Sequence, residues 1–165
     1  MWCDIIVDRS KRMFKLVLSI LICQSAGMVG AFFTRRSISE WYVHINKPAF
    51  TPPSWVFAPA WLTLYTLMGI AAFLIWRKGV NAAGVRSALA VFLFQLILNS
   101  LWSVVFFGNR SISGGFVVIV FLWVAIAWTI KRFYAVSKPA AALLIPYIAW
   151  VSFALVLNTA ILVLN

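Results

Sequence analysis

Five apolar stretches, residues 14–34, 55–76, 88–107, 114–130 and 140–164, divide the chain, and each is close to the length that a bilayer demands of a helix. A helix rising 1.5 Å per residue crosses the hydrocarbon in roughly 20 residues. The expected fold is therefore an all-α integral membrane protein, a five-transmembrane-helix bundle. With 64% of 165 residues hydrophobic and only 14 basic and 3 acidic side chains, little chain is left for a soluble domain. Lys15, at the head of the first run, can snorkel to the interface, and the last run is long enough to tilt.

A net charge of +11 would suggest nucleic acid in a soluble protein, but here the basic residues flank apolar runs and so report topology instead. The side that holds the N-terminus carries Arg9, Lys11, Arg12, Lys15, Arg77, Lys78, Arg86, Lys131, Arg132 and Lys138, against Arg35, Arg36, Lys47 and Arg110 on the other. The positive-inside rule then predicts a cytoplasmic N-terminus and a C-terminus outside. The first apolar run, 18 residues from Leu16 to Phe33, is longer than a signal-peptide core and no A-x-A site follows it, so it reads as a span. Residues 1–12 are polar and hold two of the three acids, Asp4 and Asp8. They read as an N-terminal extension ahead of a single five-helix domain, residues 13–165, with Met13 as an expected alternative start. Cys3 and Cys23 show neither metal nor redox spacing.

Three of the four connections, 77–87, 108–113 and 131–139, are short, whereas 35–54 is long for a loop and rich in aromatics and prolines. Proline fixes φ and extends the residue before it, which lowers the entropy cost of ordering such a segment. The stretch WYVHINKPAFTPPSWVFAPAW at 41–61 is thus expected to be an ordered, outward-facing lid that runs into the second helix. Ser54 is placed to cap that helix and Pro59 falls in its first turns. Pro139 is placed to open the fifth helix, and Pro146 to bend it.

After Glu40 no Asp or Glu occurs in 125 residues, which removes paired-carboxylate hydrolysis, carboxylate-supported metal sites and the intramembrane acid of a proton-coupled exporter. His44 is the single histidine, so a histidine metal cluster is excluded as well. The polar groups left inside the spans are amides and hydroxyls. At 100° per residue, Gln95, Asn99, Trp102 and Phe106 fall within about 60° of one another on the third helix. Trp61, Tyr65, Met68 and Ala72 share a stripe on the second, and Tyr147, Trp150, Ala154 and Asn158 lie within about 80° on the fifth. Buried amides can be interhelical glue, and Trp41, Trp55 and Trp76 at helix ends suit an interfacial belt. Trp61, Trp102 and Trp150 sit deeper and share faces with polar groups, which describes the walls of a cavity for a flat, hydrophobic ligand. Two small-xxx-small pairs on the first helix, Ala26 with Gly30 and Gly27 with Ala31, permit close helix contact within the bundle or in a dimer.

Three blocks carry a specific resemblance: WYVHINKPAFTPPSWVFAPAWLTLYTLMGIAAFLIW at 41–76, QLILNSLWSVVFFG at 95–108 and LIPYIAWVSFALVLN at 144–158. The chain resembles the TspO/translocator protein family, the tryptophan-rich sensory proteins, also described as peripheral-type benzodiazepine receptor-like. That resemblance implies a homodimeric five-helix bundle whose cavity is closed by the first loop. It implies binding of porphyrins such as protoporphyrin IX, of other tetrapyrroles and, in animal members, of cholesterol and isoquinolines, with no cofactor and no nucleic acid. Carried over residue by residue, the family's pocket falls on Tyr42, Trp61, Tyr65, Asn99, Trp102, Ser103, Trp150 and Ala154. The helix faces add Tyr147 and Asn158. In members reported to degrade protoporphyrin under light, the implicated tryptophans match Trp61 and Trp150, which would be the catalytic pair if that reaction occurs here. The animal cholesterol motif needs a basic residue late in the fifth helix, and none follows Lys138. The expected function is a receptor-like binding protein for tetrapyrroles, acting in their regulation or in stress response. Light-dependent porphyrin breakdown and transport of tetrapyrroles or sterol-like ligands are the alternatives.

Overall fold

The computed structural model describes residues 2–165, with side chains from residue 9 onward, so Asp4, Asp8 and Cys3 lie outside the described side chains. The described residues form helices α1 (Trp2–Ser37), α2 (Phe57–Trp76), α3 (Val85–Ser103), α4 (Ile112–Val136), α5 (Lys138–Ala142) and α6 (Ile145–Leu164), and no strand. Single π-helical turns extend α1 over Ile38–Tyr42 and α3 over Val104–Gly108, and a 3₁₀ turn at Ser54–Val56 leads into α2. Five segments are long and apolar enough to cross a membrane: Arg9–Tyr42, Ser54–Trp76, Val85–Gly108, Ile112–Val136 and Lys138–Leu164. The bundle turns Phe14, Leu21, Phe94, Ile97 and Phe121 outward, a surface that hydrocarbon accommodates and water does not.

Helix boundaries follow local chemistry. Gly84, in the left-handed region at φ 79°, precedes α3, where a residue with a Cβ would be strained. Ser111 caps α4 by accepting from the Gly114 N–H at 3.1 Å. The long connection expected over 35–54 is shorter in the structure, because helical geometry continues through Arg35 and Arg36 to Tyr42, and cations suit the C-terminal end of a helix. Ser54 does not cap α2; it lies in the 3₁₀ turn, and no side chain bonds the first α2 amides. Pro139 opens α5 as expected, whereas Pro146 does more than bend its helix. Lacking an N–H and crowding the carbonyl four residues back, it starts a new helix after a turn at Leu143–Leu144, and Leu144 is buried in the core.

α1 packs along α2 and α3, and α4 lies between α3 and α6. Away from the lid the core is closely packed: Met68, Ile75, Val85, Ala88, Ile126, Phe133 and Ala140 are fully buried, and Phe92 stacks on Phe133 at 5.6 Å. Gly69 lies at a close crossing of α1 and α2, since a Cβ there would stand 2.6 Å from the Ile20 backbone Cα. On the lid side of that crossing the core gives way to a cavity.

Candidate functional site: a tryptophan-walled cavity beneath the lid

The lid-side half of the bundle encloses a cavity of about 780 Å³, within the range of small-molecule sites. Three helices supply its aromatic walls. Trp61 of α2 stacks on Tyr65, ring centroids 5.4 Å apart and 28° from parallel. On α3, Trp102 stacks on Phe106 at 5.2 Å and 18°. Trp150 of α6 meets Phe57 edge-on at 6.0 Å. Gly27, Gly30, Ala31 and Thr34 of α1 close the remaining side, and Tyr42, Lys47, Thr51 and Pro52 lie across the top. Met28 and Leu62 line the same cavity yet are 72% and 62% exposed, so it reaches the outer face of the bundle between α1 and α2. Below that gap the Gln24 amide donates to the Leu62 carbonyl at 3.1 Å and to Thr66 Oγ1 at 3.0 Å, bridging the two helices.

The backbone irregularities shape this end. In the α3 extension the Asn109 N–H reaches the Val104 carbonyl at 2.8 Å, a five-residue step that widens the helix next to Phe106 and Phe107. Ser37 Oγ donates to the Phe107 carbonyl and so ties the end of α1 to that wide turn. Trp41 and Tyr42 then pack on Phe106 at 5.6 and 6.4 Å, and Glu40 pairs with Arg110 at 2.6 Å on the surface.

The first part of the lid, residues 42–47, is held by polar bonds. Lys47 Nζ donates to the carbonyls of Tyr42 at 2.7 Å and Ile45 at 2.9 Å, and lies 5.0 Å from the Tyr42 ring centre. Asn46 and Asn165 exchange bonds: the Asn46 N–H donates to Asn165 Oδ1 at 2.9 Å, and Asn165 Nδ2 donates to the Asn46 carbonyl at 3.0 Å. Asn46 Nδ2 adds a bond to the Leu164 carbonyl at 3.1 Å.

Eight of the ten residues expected at the site, Tyr42, Trp61, Tyr65, Trp102, Ser103, Trp150, Ala154 and Asn158, line the cavity. Asn99 and Tyr147 do not; they stand behind its floor in a closed hydrogen-bond chain. Tyr65 Oη donates to Asn99 Oδ1, Asn99 Nδ2 donates to Tyr147 Oη at 2.9 Å, and Tyr147 Oη donates to Gln95 Oε1 at 2.9 Å. With both ends of its amide engaged and its side chain buried, Asn99 holds α2, α3 and α6 together from outside the cavity lining. The α1 wall was not among the expected positions. Its signal was the small-xxx-small pairs, which the structure uses inside the bundle: a Cβ at Gly27 would stand 2.5 Å from the Tyr65 ring, and one at Gly30 would stand 2.9 Å from Ser103 Oγ. Lys47, Phe106 and Phe107 also join the wall.

The sequence pattern of the TspO/MBR family matches residues 19–164. The tryptophan-rich protein TspO of Archaeoglobus fulgidus is 46% identical over 92% of this chain and 97% of its own length. The translocator protein of Bos taurus is 38% identical over 84% of this chain and 82% of its own. The tryptophan-rich sensory protein of Cereibacter sphaeroides is 37% identical over 76% and 77%.

Proposed function

The chain belongs to the TspO/MBR family, and from that premise we propose that this multi-pass membrane protein is a receptor-like binder of porphyrins and related flat tetrapyrroles. One observation carries the reading: Trp61, Trp102 and Trp150, from three different helices, line a single lidded cavity whose walls are otherwise largely apolar. Indole faces offer stacking area to a flat macrocycle, and displacing water from such walls favours an apolar ring system over a polar one. Arg35 and Lys47, the two cations in the wall, stand on the lid side, where they can attract the carboxylates of a ligand such as protoporphyrin IX. The gap between Met28 and Leu62 gives a membrane-dissolved ligand a way in. In the same reading the N-terminus is cytoplasmic, the lid faces outward, and the protein works as a homodimer.

Titrating the purified protein with protoporphyrin IX should give saturable quenching of tryptophan fluorescence. Trp61→Ala and Trp150→Ala should each raise Kd at least about tenfold, equivalent to 1.4 kcal/mol. Unchanged affinity in both variants would remove the cavity from the account.

A further inference from the structure

The two ends of the bundle treat their cations differently. At the lid end Arg110 meets Glu40 at 2.6 Å, and Lys47 donates to the carbonyls of Tyr42, Val43 and Ile45. At the opposite end Arg77, Lys78 and Arg86 flank the α2–α3 connection, Lys131 and Arg132 end α4, Lys138 begins α5, and all six are exposed. The two groups adjoin, because a Cβ on Gly84 would stand 3.4 Å from Val136 Cγ2 and α5 packs against both α2 and α4. No carboxylate lies in either group, since the sequence holds none after Glu40. Asp4 and Asp8 belong to the N-terminal segment, where Arg9, Lys11 and Arg12 outnumber them. Arg86 donates to Asn81 Oδ1 at 3.0 Å, a partner that carries no charge.

Aromatic rings set the depth of this face. Lys15 Nζ lies 5.4 Å from the Trp76 ring centre, the Arg132 guanidinium 5.9 Å from that of Trp128, and Lys138 Nζ 5.5 Å from that of Tyr134. Trp128 and Tyr134 are themselves exposed on the outside of the bundle. Indole and phenol rings favour the boundary between hydrocarbon and headgroups, so a cation resting on one stands at the level of the lipid phosphates. Cations gathered there without a carboxylate raise the local potential and attract an anion from outside the chain. A nucleic acid or an acidic protein would arrive from the water and gain nothing from rings at the hydrocarbon boundary. The bilayer offers both partners at once.

We propose that this face binds the headgroups of anionic phospholipids, with the α2–α3 connection and the α4–α5 turn forming one surface. Clusters of roughly four to eight Lys and Arg beside membrane spans have this chemistry. Lipids seated there tie together the ends of α2, α3 and α4 on the closely packed half of the bundle. The binding is independent of what the cavity holds.

Spin-labelled phosphatidylglycerol and phosphatidylcholine, introduced separately into phosphatidylcholine vesicles carrying the full chain, test the surface by electron paramagnetic resonance. The motionally restricted fraction reports association with the protein. Phosphatidylglycerol should associate at least about threefold more strongly, and the ratio should fall toward one in 1 M salt, where charges are screened beyond about 3 Å. The combined variant Arg77→Gln, Lys78→Gln, Arg86→Gln, Lys131→Gln, Arg132→Gln and Lys138→Gln should abolish the preference, whereas Arg36→Gln at the lid end should preserve it. Equal association of the two lipids with the wild-type protein would overturn the proposal, and that comparison stands even if the combined variant fails to fold. A preference that survives in the folded combined variant would overturn it as well. Loss of the preference on adding millimolar glycerol 3-phosphate would make a soluble anion the occupant and overturn the lipid assignment.

Discussion

The two halves of this bundle solve opposite problems with the same helices. In the half away from the lid, small residues bring backbones together: Gly69 sits against the Ile20 Cα, and Ala88 and Ala140 are fully buried. In the lid-side half, helix geometry is loosened by two π-helical turns, and aromatic rings stand around open volume. Close packing fixes positions and leaves no room, so a cavity survives only where its walls are anchored from outside it. The chain from Tyr65 through Asn99 and Tyr147 to Gln95 marks the boundary, buried and cross-bonded, with packed core on one side and cavity on the other.

A matched pair of alanine substitutions separates the halves most sharply. Gly69→Ala places its methyl against helix backbone, which can yield only if α1 and α2 move apart. It should cost about 2 kcal/mol even after the gain in helix propensity, read as a lowered thermal midpoint in detergent. Gly30→Ala meets only the Ser103 hydroxyl, which can rotate, and should stay within about 1 kcal/mol of the wild type. Equal losses in the two variants would erase the distinction.

The boundary comes next. Tyr147→Phe removes the hydroxyl that both accepts from Asn99 and donates to Gln95, leaving Asn99 Nδ2 and Gln95 Oε1 buried without these bonds. Loss of about 1–2 kcal/mol of stability is expected, with protoporphyrin affinity within about threefold of wild type, because the hydroxyl holds helices and does not line the cavity. A large affinity loss at unchanged stability would return Tyr147 to the ligand wall.

The lid gives the smallest effect. Asn165→Ala deletes the side-chain bonds to Asn46 and leaves the Asn46 amide its bond to the Leu164 carbonyl. Stability should change by under about 1 kcal/mol, while stopped-flow dissociation of protoporphyrin should quicken a few-fold as the lid loosens. An unchanged dissociation rate would mean that the ligand leaves by the gap between Met28 and Leu62.

The five spans were legible because each is a continuous apolar run, and the tryptophan faces because helical periodicity places residues four apart on one side. Depth was not. Asn99 and Trp102 share a stripe on α3, yet one stands behind the floor and the other in the wall, and that depends on where Tyr65 and Tyr147 approach from other helices. The π-helical turns carry no signature of composition; the one after Ser103 is sustained by Ser37, far away in the chain, bonding the Phe107 carbonyl. Arg35 and Arg36 read as the start of a loop because charge marks a membrane boundary, whereas the helix continues past it to Tyr42. At Pro146 the local rule allows a bend or a break, and the burial of Leu144 at the turn goes with the break.

The most direct test of the account is an experimental structure of the protein with protoporphyrin IX. The macrocycle is predicted between Trp61, Trp102 and Trp150, beneath Tyr42 and Lys47, with the packed half unchanged. A macrocycle on the lipid-facing surface, with the tryptophan-walled cavity unfilled, would contradict it.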